Sequence, residues 1–508
     1  MECIWKIGTA TMKNLYLFFF SILFCLMTAC SVSNSSYTPQ MKYSADQLKK
    51  DVQVMEQTLK LNHPSLYWYS NATKINASFE RAYALLKDSM TEIEFRNIIS
   101  ETIFPIRCGH TSVRPSRKYE QYMEGRRNKT FPLGMKIIDD STLVVTINMN
   151  RRDSVLRTGT RILAVDELNA KQIIDSMLRM ISIDGNSENF SYQNLSNNFN
   201  ASYNNRFGLK KNYNVTYLDQ KGEIRNKVIP VFDPATDTAR RRPFTVNRIP
   251  PASPETFTRR QRRLQGVRSF IIDSSNTYAT MRLNSFGPGL KRQFLKKSFR
   301  ELHKKNIEHL IIDVRNNGGG LIKTSLFLTK QIHQQPFVFA DSIYATHRKI
   351  RSGTHISKRF IYNLGLFFLS KKVNDSMYAF RLFRIKTYQP GKYKYEGKIY
   401  LLTGGYSFSA TTLFAASVKG QENVMIIGEE TGGGYYGNNG VFIPEMSLPN
   451  TDVRVRLPLY RIVNNKSFPK NGSGVMPDLE VKPTAETIRL NKDPKMEKAV
   501  ELIMQRKG

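Results

Sequence analysis

Cysteine is scarce in this chain: four residues in 508, at positions 3, 25, 30 and 108. A disulfide-stapled scaffold is therefore excluded, although length alone allows two to four ordinary domains. The most apolar stretch, Leu15–Met27, is 13 residues long, short of the roughly 20 that a membrane-spanning helix needs. The seven histidines are scattered, and there is no His-Glu-x-x-His, no Cys-x-x-Cys and no phosphate-binding Gly-x4-Gly-Lys-Ser/Thr loop. No metal and no cofactor are expected. Acidic residues are also few, 42 against 76 Lys and Arg, which leaves a net charge of +34. Such a balance favours anionic partners. Without a zinc finger, an RNA-recognition signature or basic-zipper heptads, nucleic acid is not expected to be the partner. An anionic membrane surface is.

What is present begins with a targeting signal. Lys13 precedes the apolar run, Thr28-Ala29 are small, and Cys30 follows. This is the order of a secretory signal peptide. LMTAC resembles the bacterial lipoprotein signal, in which the cysteine becomes the lipidated first residue of the mature chain. Met12-Lys13 makes a more natural start than Met1. Cleavage before Cys30 removes Lys6, Lys13 and Glu2, so the basic character stays with the mature protein. The expected organisation is a signal peptide (1–29), a lipidated tether (30–43), an N-terminal helical domain (44–125), a second module (131–232), a basic linker (233–268), an α/β core (269–485) and a C-terminal helix (486–508).

Local patterns support these divisions. Leu48, Val52, Met55 and Leu59 recur at helical spacing, and Asn62-His63-Pro64 ends that helix. Residues 131–232 carry strand patterns, Gly159 within a short loop, the strand RILAV and a following helix. HLIIDVR, IYLLTG and VMIIGEE are continuous apolar runs of the kind buried in parallel sheets, and helical segments separate them. Residues 340–395 interrupt the alternation with RFIYNLGLFFLSKK. That stretch reads as a lid or, more simply, as a surface helix docked by its apolar face.

Two segments carry chemistry. In LIIDVRNNGGG (Leu310–Gly320) a buried strand runs into three glycines, whose backbone N–H groups can approach a substrate oxygen. In IYLLTGGYSFSATTLFAAS (Ile399–Ser417) a buried strand and a glycine turn lead to Ser409 at the mouth of an Ala-rich helix. Helix mouths offer unpaired N–H groups and partial positive charge. Ser409 is either a nucleophile or an ordinary N-cap serine.

DVRNNGGG resembles the Asp-x-Arg-x-Asn-x-Gly-Gly element of the C-terminal processing and tricorn-core serine peptidases. YSFSATTLFAASVKGQENVMIIGEETGGG resembles the nucleophile helix and next strand of that family, GSGVMPDLEV its closing strand, and DVQVMEQTLKLNHPSLYWY the helical leader of its envelope lipoproteins. The resemblance implies a crotonase-like (ClpP/crotonase) α/β core with an N-terminal helical unit and a PDZ-like module at 131–232. Thr160 stands where PDZ loops usually have Asp. It also implies Ser409 as nucleophile, with Gly319 and Ala410 as oxyanion donors. Gly319 is preferred to Gly318, because the family tolerates Pro at the latter and Pro has no N–H.

The base departs from the processing branch. Where that branch has Lys this chain has Gly434, so a Ser-Lys dyad is not expected. The tricorn branch uses a His from the N-terminal part, and RCGHTSV offers His110. A neutral imidazole suits removal of a serine proton. His63 is the rival, with Pro and aromatic neighbours that suggest packing. Asn471 stands where tricorn has Glu and could orient the histidine through its amide oxygen; Glu429, Glu430 and Asp478 are alternatives. Cys108 reads as small packing. The expected function is a serine endopeptidase of the bacterial cell envelope, lipid-anchored and acting on peptides or proteins. The alternative is a catalytically impaired relative that binds peptides or other ligands.

Overall fold

Helix caps set the N-terminal part. In a computed structural model that describes residues 37–236, 264–290, 292–352, 355–383 and 386–505, Ser44 accepts from the Gln47 amide while the Gln47 side chain accepts from the Ser44 amide. This reciprocal cap starts α1 (Ala45–Asn62). Asn71 caps α2 (Ala72–Leu85), and Thr91 with Glu94 repeats the reciprocal cap at α3 (Glu92–Ile103). The leader, Cys30 and residues 237–263 of the linker lie outside the described residues.

The apolar faces of these helices do not close on themselves. Leu48, Met55, Phe79, Phe95 and Ile99 are buried in one core with Phe339, Ile343, Val455, Leu457 and Ile462 from far along the chain. The N-terminal helices and the segments around 340 and 455 thus share a single hydrophobic core.

A second sheet is antiparallel throughout. It runs β1 (Leu133–Ile137), β2 (Leu143–Asn148), β3 (Arg161–Val165), β4 (Asn212–Leu218) and β5 (Ile224–Pro230) in that spatial order, with Leu168–Asn169 paired to β3. Three helices lie between β3 and β4 in the chain: α4 (Ala170–Leu178), α5 (Asn189–Asn197) and α6 (Phe199–Phe207).

The third part is a doubly covered sheet. β6 (Arg268–Ile272) pairs antiparallel with β7 (Tyr278–Leu283). Helix α7 (Arg292–Lys304) leads to β8 (His309–Asp313), which lies parallel to β7, and α8 (Ile322–Lys330) follows. The insertion then contributes β9 (Ser342–Ala345), α9 (Arg359–Leu369), β10 (Ser370–Asn374) and β11 (Met377–Phe380). The main sheet resumes with β12 (Lys398–Thr403), α10 (Ala410–Val418) and β13 (Val424–Gly428), both strands parallel to their neighbours. Strands β14 (Gly437–Gly440) and β15 (Tyr460–Val463) join the insertion's sheet in the order β10-β11-β9-β15-β14. The edge strand β16 (Leu479–Glu480) and helix α11 (Pro494–Gln505) close the main sheet. Strand alternation divides its residues between two faces. Leu310, Ile312, Leu401 and Ile426 pack with Phe299 and Phe414, while Ile311, Tyr400, Leu402 and Ile427 pack with Ala499 and Ile503 of α11.

The insertion helix corrects an expectation. α9 is docked by only part of its apolar face: Leu366 is buried and Tyr362 packs on the same core, while Phe360 is 78% and Phe368 59% exposed.

The Asp-x-Arg pair closes the core. Arg315 donates from Nε and Nη2 to the two oxygens of Asp313, each at 2.9 Å, and reaches both oxygens of Asp493 at the head of α11, at 2.6 and 2.8 Å. Asp313 is buried and, without the Arg315 side chain, would keep Arg282 as its one cationic partner among the described residues. Breaking a buried ion pair from one side costs about 3–5 kcal/mol. We expect Arg315→Ala to lower the urea midpoint accordingly; a midpoint unchanged within error would contradict this role.

Candidate active site

The loops that follow the parallel strands at their carboxyl ends converge, as ligand sites in such sheets do. After β12 the chain turns through Gly404-Gly405, where Ser407 Oγ donates to Val314 O at 2.9 Å and accepts from the Gly404 amide at 3.2 Å. This locks the turn to the loop after β8. Ser409 follows at φ 57° and ψ −122°, a sparsely populated conformation for a non-glycine residue. Its side chain makes no capping bond to α10. The N-cap reading therefore fails, and the hydroxyl is directed elsewhere.

It meets His110. Nε2 of His110 lies 3.1 Å from Ser409 Oγ, across 299 residues of chain. With Nε2 accepting the hydroxyl proton, a neutral imidazole carries its own proton on Nδ1. His110 is buried, its ring packed on Phe408 at 4.7 Å between centroids. Its pKa is pushed down to about 3, first by burial and then by the neighbouring Arg456. The imidazole is thus neutral throughout the neutral range, the form that can take up a proton.

The loop bearing His110 is held from three sides. Val113–Arg114 pairs with Arg454–Arg456 as a short antiparallel ladder, continued by the Arg456 amide donating to Ser112 O at 3.0 Å. Thr111 Oγ1 lies 2.9 Å from His63 Nε2. The Gly109 amide donates to Asp184 Oδ1 at 2.8 Å. A Cβ at position 109 would lie 2.7 Å from Phe408 Cζ, so a larger residue would displace the ring that packs on His110.

The glycine loop after β8 reaches Ser409. Gly319, at φ +97°, brings its backbone so close that a Cβ would sit 2.8 Å from Ser409 Cβ and 3.0 Å from the Ala410 nitrogen. Its amide, however, donates to Asn317 Oδ1 at 3.0 Å, so in this state it is engaged within its own loop. The Ala410 amide stands in the first turn of α10, where helical N–H groups have no intrahelical acceptor.

Other expected residues fall elsewhere. Asn471 is exposed, and its Oδ1 accepts from the amide and hydroxyl of Ser473 at 3.0 and 2.7 Å. It makes no contact with His110, whose Nδ1 is buried without a partner among the described residues. The expectation that Asn471 orients the imidazole is therefore corrected: a local turn takes up the amide. The alternatives are occupied as well. Glu429 pairs with Lys495, Glu430 accepts from the Gly474 amide at 2.6 Å, and Asp478 binds Lys419 and the Ile426 amide. His63 accepts from the Ser65 amide and contacts Thr111 rather than Ser409. Cys108 is buried beside Asn439, with its thiol pushed up to about 12 mainly by burial. In the second module, the Gly159 and Thr160 amides are engaged by Val145 O and Arg157 O.

Asp184 is the acidic residue that sequence reasoning passed over. It lies in ISIDGNSENF, where an Asp-Gly pair reads as an ordinary turn. It is buried, and burial pushes its carboxyl up to about 7 against the opposing backbone amides of Gly109 and Gly434.

A hydroxyl on a strained turn, a neutral imidazole beside it and backbone amides at a helix mouth form a site equipped for nucleophilic attack. Comparison with known proteins places the chain. Residues 277–481 match the model of peptidase family S41. Through that core the chain is similar to the S41 peptidases. It is 24% identical over 160 residues to a tail-specific protease of Haemophilus influenzae, a match that covers 32% of this chain but only 18% of that protein. The crystal structure of mature CPAF superposes with a TM-score of 0.60 at 14% identity, covering 90% of this chain and 96% of that one. A complex of mature CPAF with lactacystin gives the same score and identity, with 98% of that chain covered. These two likenesses establish a common mixed α/β fold.

The charge state of Asp184 is open to test. Its folded-state pKa is raised above the unfolded value, so its contribution to stability is present near pH 4 and is lost as the pH rises towards about 7. Asp184→Asn keeps an oxygen for the Gly109 amide and removes the buried charge. We expect its Tm to exceed that of the wild type at pH 8, with the difference shrinking towards pH 4. A variant less stable than the wild type at pH 8 would mean that the ionised carboxylate has a stabilising partner.

Proposed function

We propose that the chain is a serine peptidase that cleaves peptide bonds through an acyl-enzyme on Ser409, with a Ser-His rather than a Ser-Lys site. Ser409 Oγ attacks the scissile carbonyl carbon as its proton passes to His110 Nε2. Negative charge that develops on the carbonyl oxygen is met by the Ala410 amide and by the Gly319 loop. For Gly319 this requires exchanging Asn317 Oδ1 for the oxyanion, a stronger acceptor. Collapse of the adduct expels the amine, which takes the proton from His110. Water then repeats the sequence to release the acid. Asp184 acts as a positioning residue that holds the imidazole loop through Gly109.

The carrying observation is the 3.1 Å contact between His110 Nε2 and a Ser409 hydroxyl that does not cap its own helix. The crotonase-like identity of the core, and a PDZ-like role for residues 131–232 in presenting peptide by strand addition, belong to the same proposal. So do lipidation at Cys30 and residence in the bacterial envelope. Among the described residues no helix is long and apolar enough to cross a membrane.

A second reading has one observation in its favour. No acid meets His110 Nδ1 among the described residues, so nothing there stabilises an imidazolium with full charge. A peptide-binding relative with little turnover fits that.

A fluorophosphonate probe separates the two. We expect stoichiometric labelling of the wild type, none in Ser409→Ala, and a rate lower by at least about a hundredfold in His110→Ala, in line with loss of a general base. Labelling that survives Ser409→Ala, or a His110→Ala rate within threefold of wild type, would contradict the proposal.

A further inference from the structure

Next to this site lies a cleft of about 660 Å³ whose walls combine aromatic rings with unpaired cations. Trp68, Tyr344 and Tyr436 supply the rings; Arg461, Lys466 and Lys470 supply the charge. The guanidinium of Arg461 lies 5.8 Å from the centre of the Trp68 ring and 5.7 Å from that of Tyr344, and Lys470 Nζ lies 5.8 Å from the Trp68 ring. Two like charges therefore sit over one indole. Lys470 feels this, its pKa drawn down by burial and then by Arg461. Among the described residues none of the three cations makes an ion pair. Asp341 accepts instead from the backbone amide of Lys466.

Two buried atoms in the cleft wall also lack partners. Ser342 is 1% exposed, and its Oγ has no hydrogen bond among the described residues; the same holds for Arg461 Nε. Unpaired buried polar atoms are costly and normally mark a place that an external group completes; Lys466 and Lys470 are exposed and add positive charge at the rim. The frame is stiff. Arg461 lies on β15 between β9 and β14, directly opposite Tyr344 on one side and Asn439 on the other.

The cleft is tied to the catalytic loops. Its residue His63 contacts Thr111, the neighbour of His110. Tyr436, packed edge-on against Trp68 at 5.6 Å, belongs to the loop whose Gly432 amide donates to Ser407 O at 3.1 Å, two residues before the nucleophile.

We propose that this cleft is a substrate subsite that binds a carboxylate of the peptide, with Arg461 and Lys470 as the charged contacts, Ser342 as an additional donor, and Trp68 and Tyr436 packing on the bound residue. A planar carboxylate suits the guanidinium fork. The carboxylate is either an Asp or Glu side chain or the free C-terminus. The proposal rests on the reading of the chain as a peptidase.

The test uses Ser409→Ala, which binds without turnover, and fluorescein-labelled decapeptides in matched sets: Glu against Gln at each interior position, and free against amidated C-terminus. At low salt we expect one acid in the set to tighten Kd at least tenfold over its neutral partner, and that ratio to fall below threefold when Arg461→Gln and Lys470→Gln are added. A ratio that responds to amidation assigns the C-terminus; one that responds to Glu→Gln assigns a side chain. Arg461→Lys, which restores charge without the fork, should recover part of the ratio. A ratio near one in the parent, or one that the double substitution leaves intact, overturns the subsite. Fluorophosphonate labelling of the wild type keeps the two claims apart: discrimination without labelling defeats the peptidase reading, and labelling without discrimination defeats the subsite alone.

Discussion

The structure turns on one long-range contact, the imidazole of His110 against the hydroxyl of Ser409. Neither residue is placed by its neighbours in sequence alone. Ser409 is pinned by the Ser407 bonds to the β8 loop and by the start of α10, and these follow from the parallel sheet. His110 is pinned by pairing of Val113–Arg114 with Arg454–Arg456, and that pairing exists because the N-terminal helices share their core with residues around 340 and 455. Burial of α1 to α3 is therefore a condition of the proposed chemistry, and destabilising that core would separate His110 from Ser409 without touching either.

Electrostatics at the site favour a neutral base. Burial and Arg456 both oppose charging His110, and no acid among the described residues offsets them. Asp184, close by through the Gly109 amide, is itself inclined to be neutral because it is buried. A proton arriving on His110 during attack would have to be stabilised chiefly by the oxyanion formed at the same moment. Such a site works only when substrate fills it. The cations of the neighbouring cleft extend this pattern, since they too lack a partner that the described part of the chain provides.

Much of the core was legible because its signals are local. HLIIDV, IYLLTG and VMIIG are apolar on both faces, and the structure buries both faces. Ser44, Asn71 and Thr91 are strong caps, and helices begin after each. Gly319 and Ser409 were singled out by the family resemblance of their motifs, since a lone serine at a helix mouth reads equally as an N-cap. What failed was long-range or conditional. Asn471 occupies a motif position, but its amide turns back on Ser473, a local competition that spacing does not reveal. Asp184 gave no signal, because an Asp-Gly turn looks the same on the surface and in the interior. The apolar face of α9 invited docking, and the described chain covers only the Tyr362 and Leu366 side of it, leaving Phe360, Phe367 and Phe368 exposed.

The most direct test is a crystal structure of the adduct formed by a peptidyl phosphonate. The account predicts phosphorus bonded to Ser409 Oγ, one phosphoryl oxygen within about 3.1 Å of the Ala410 nitrogen, the Gly319 amide turned from Asn317 towards that oxygen, and His110 Nε2 still beside Oγ. An adduct whose oxygen faces solvent, with His110 displaced and another base in its place, would contradict it.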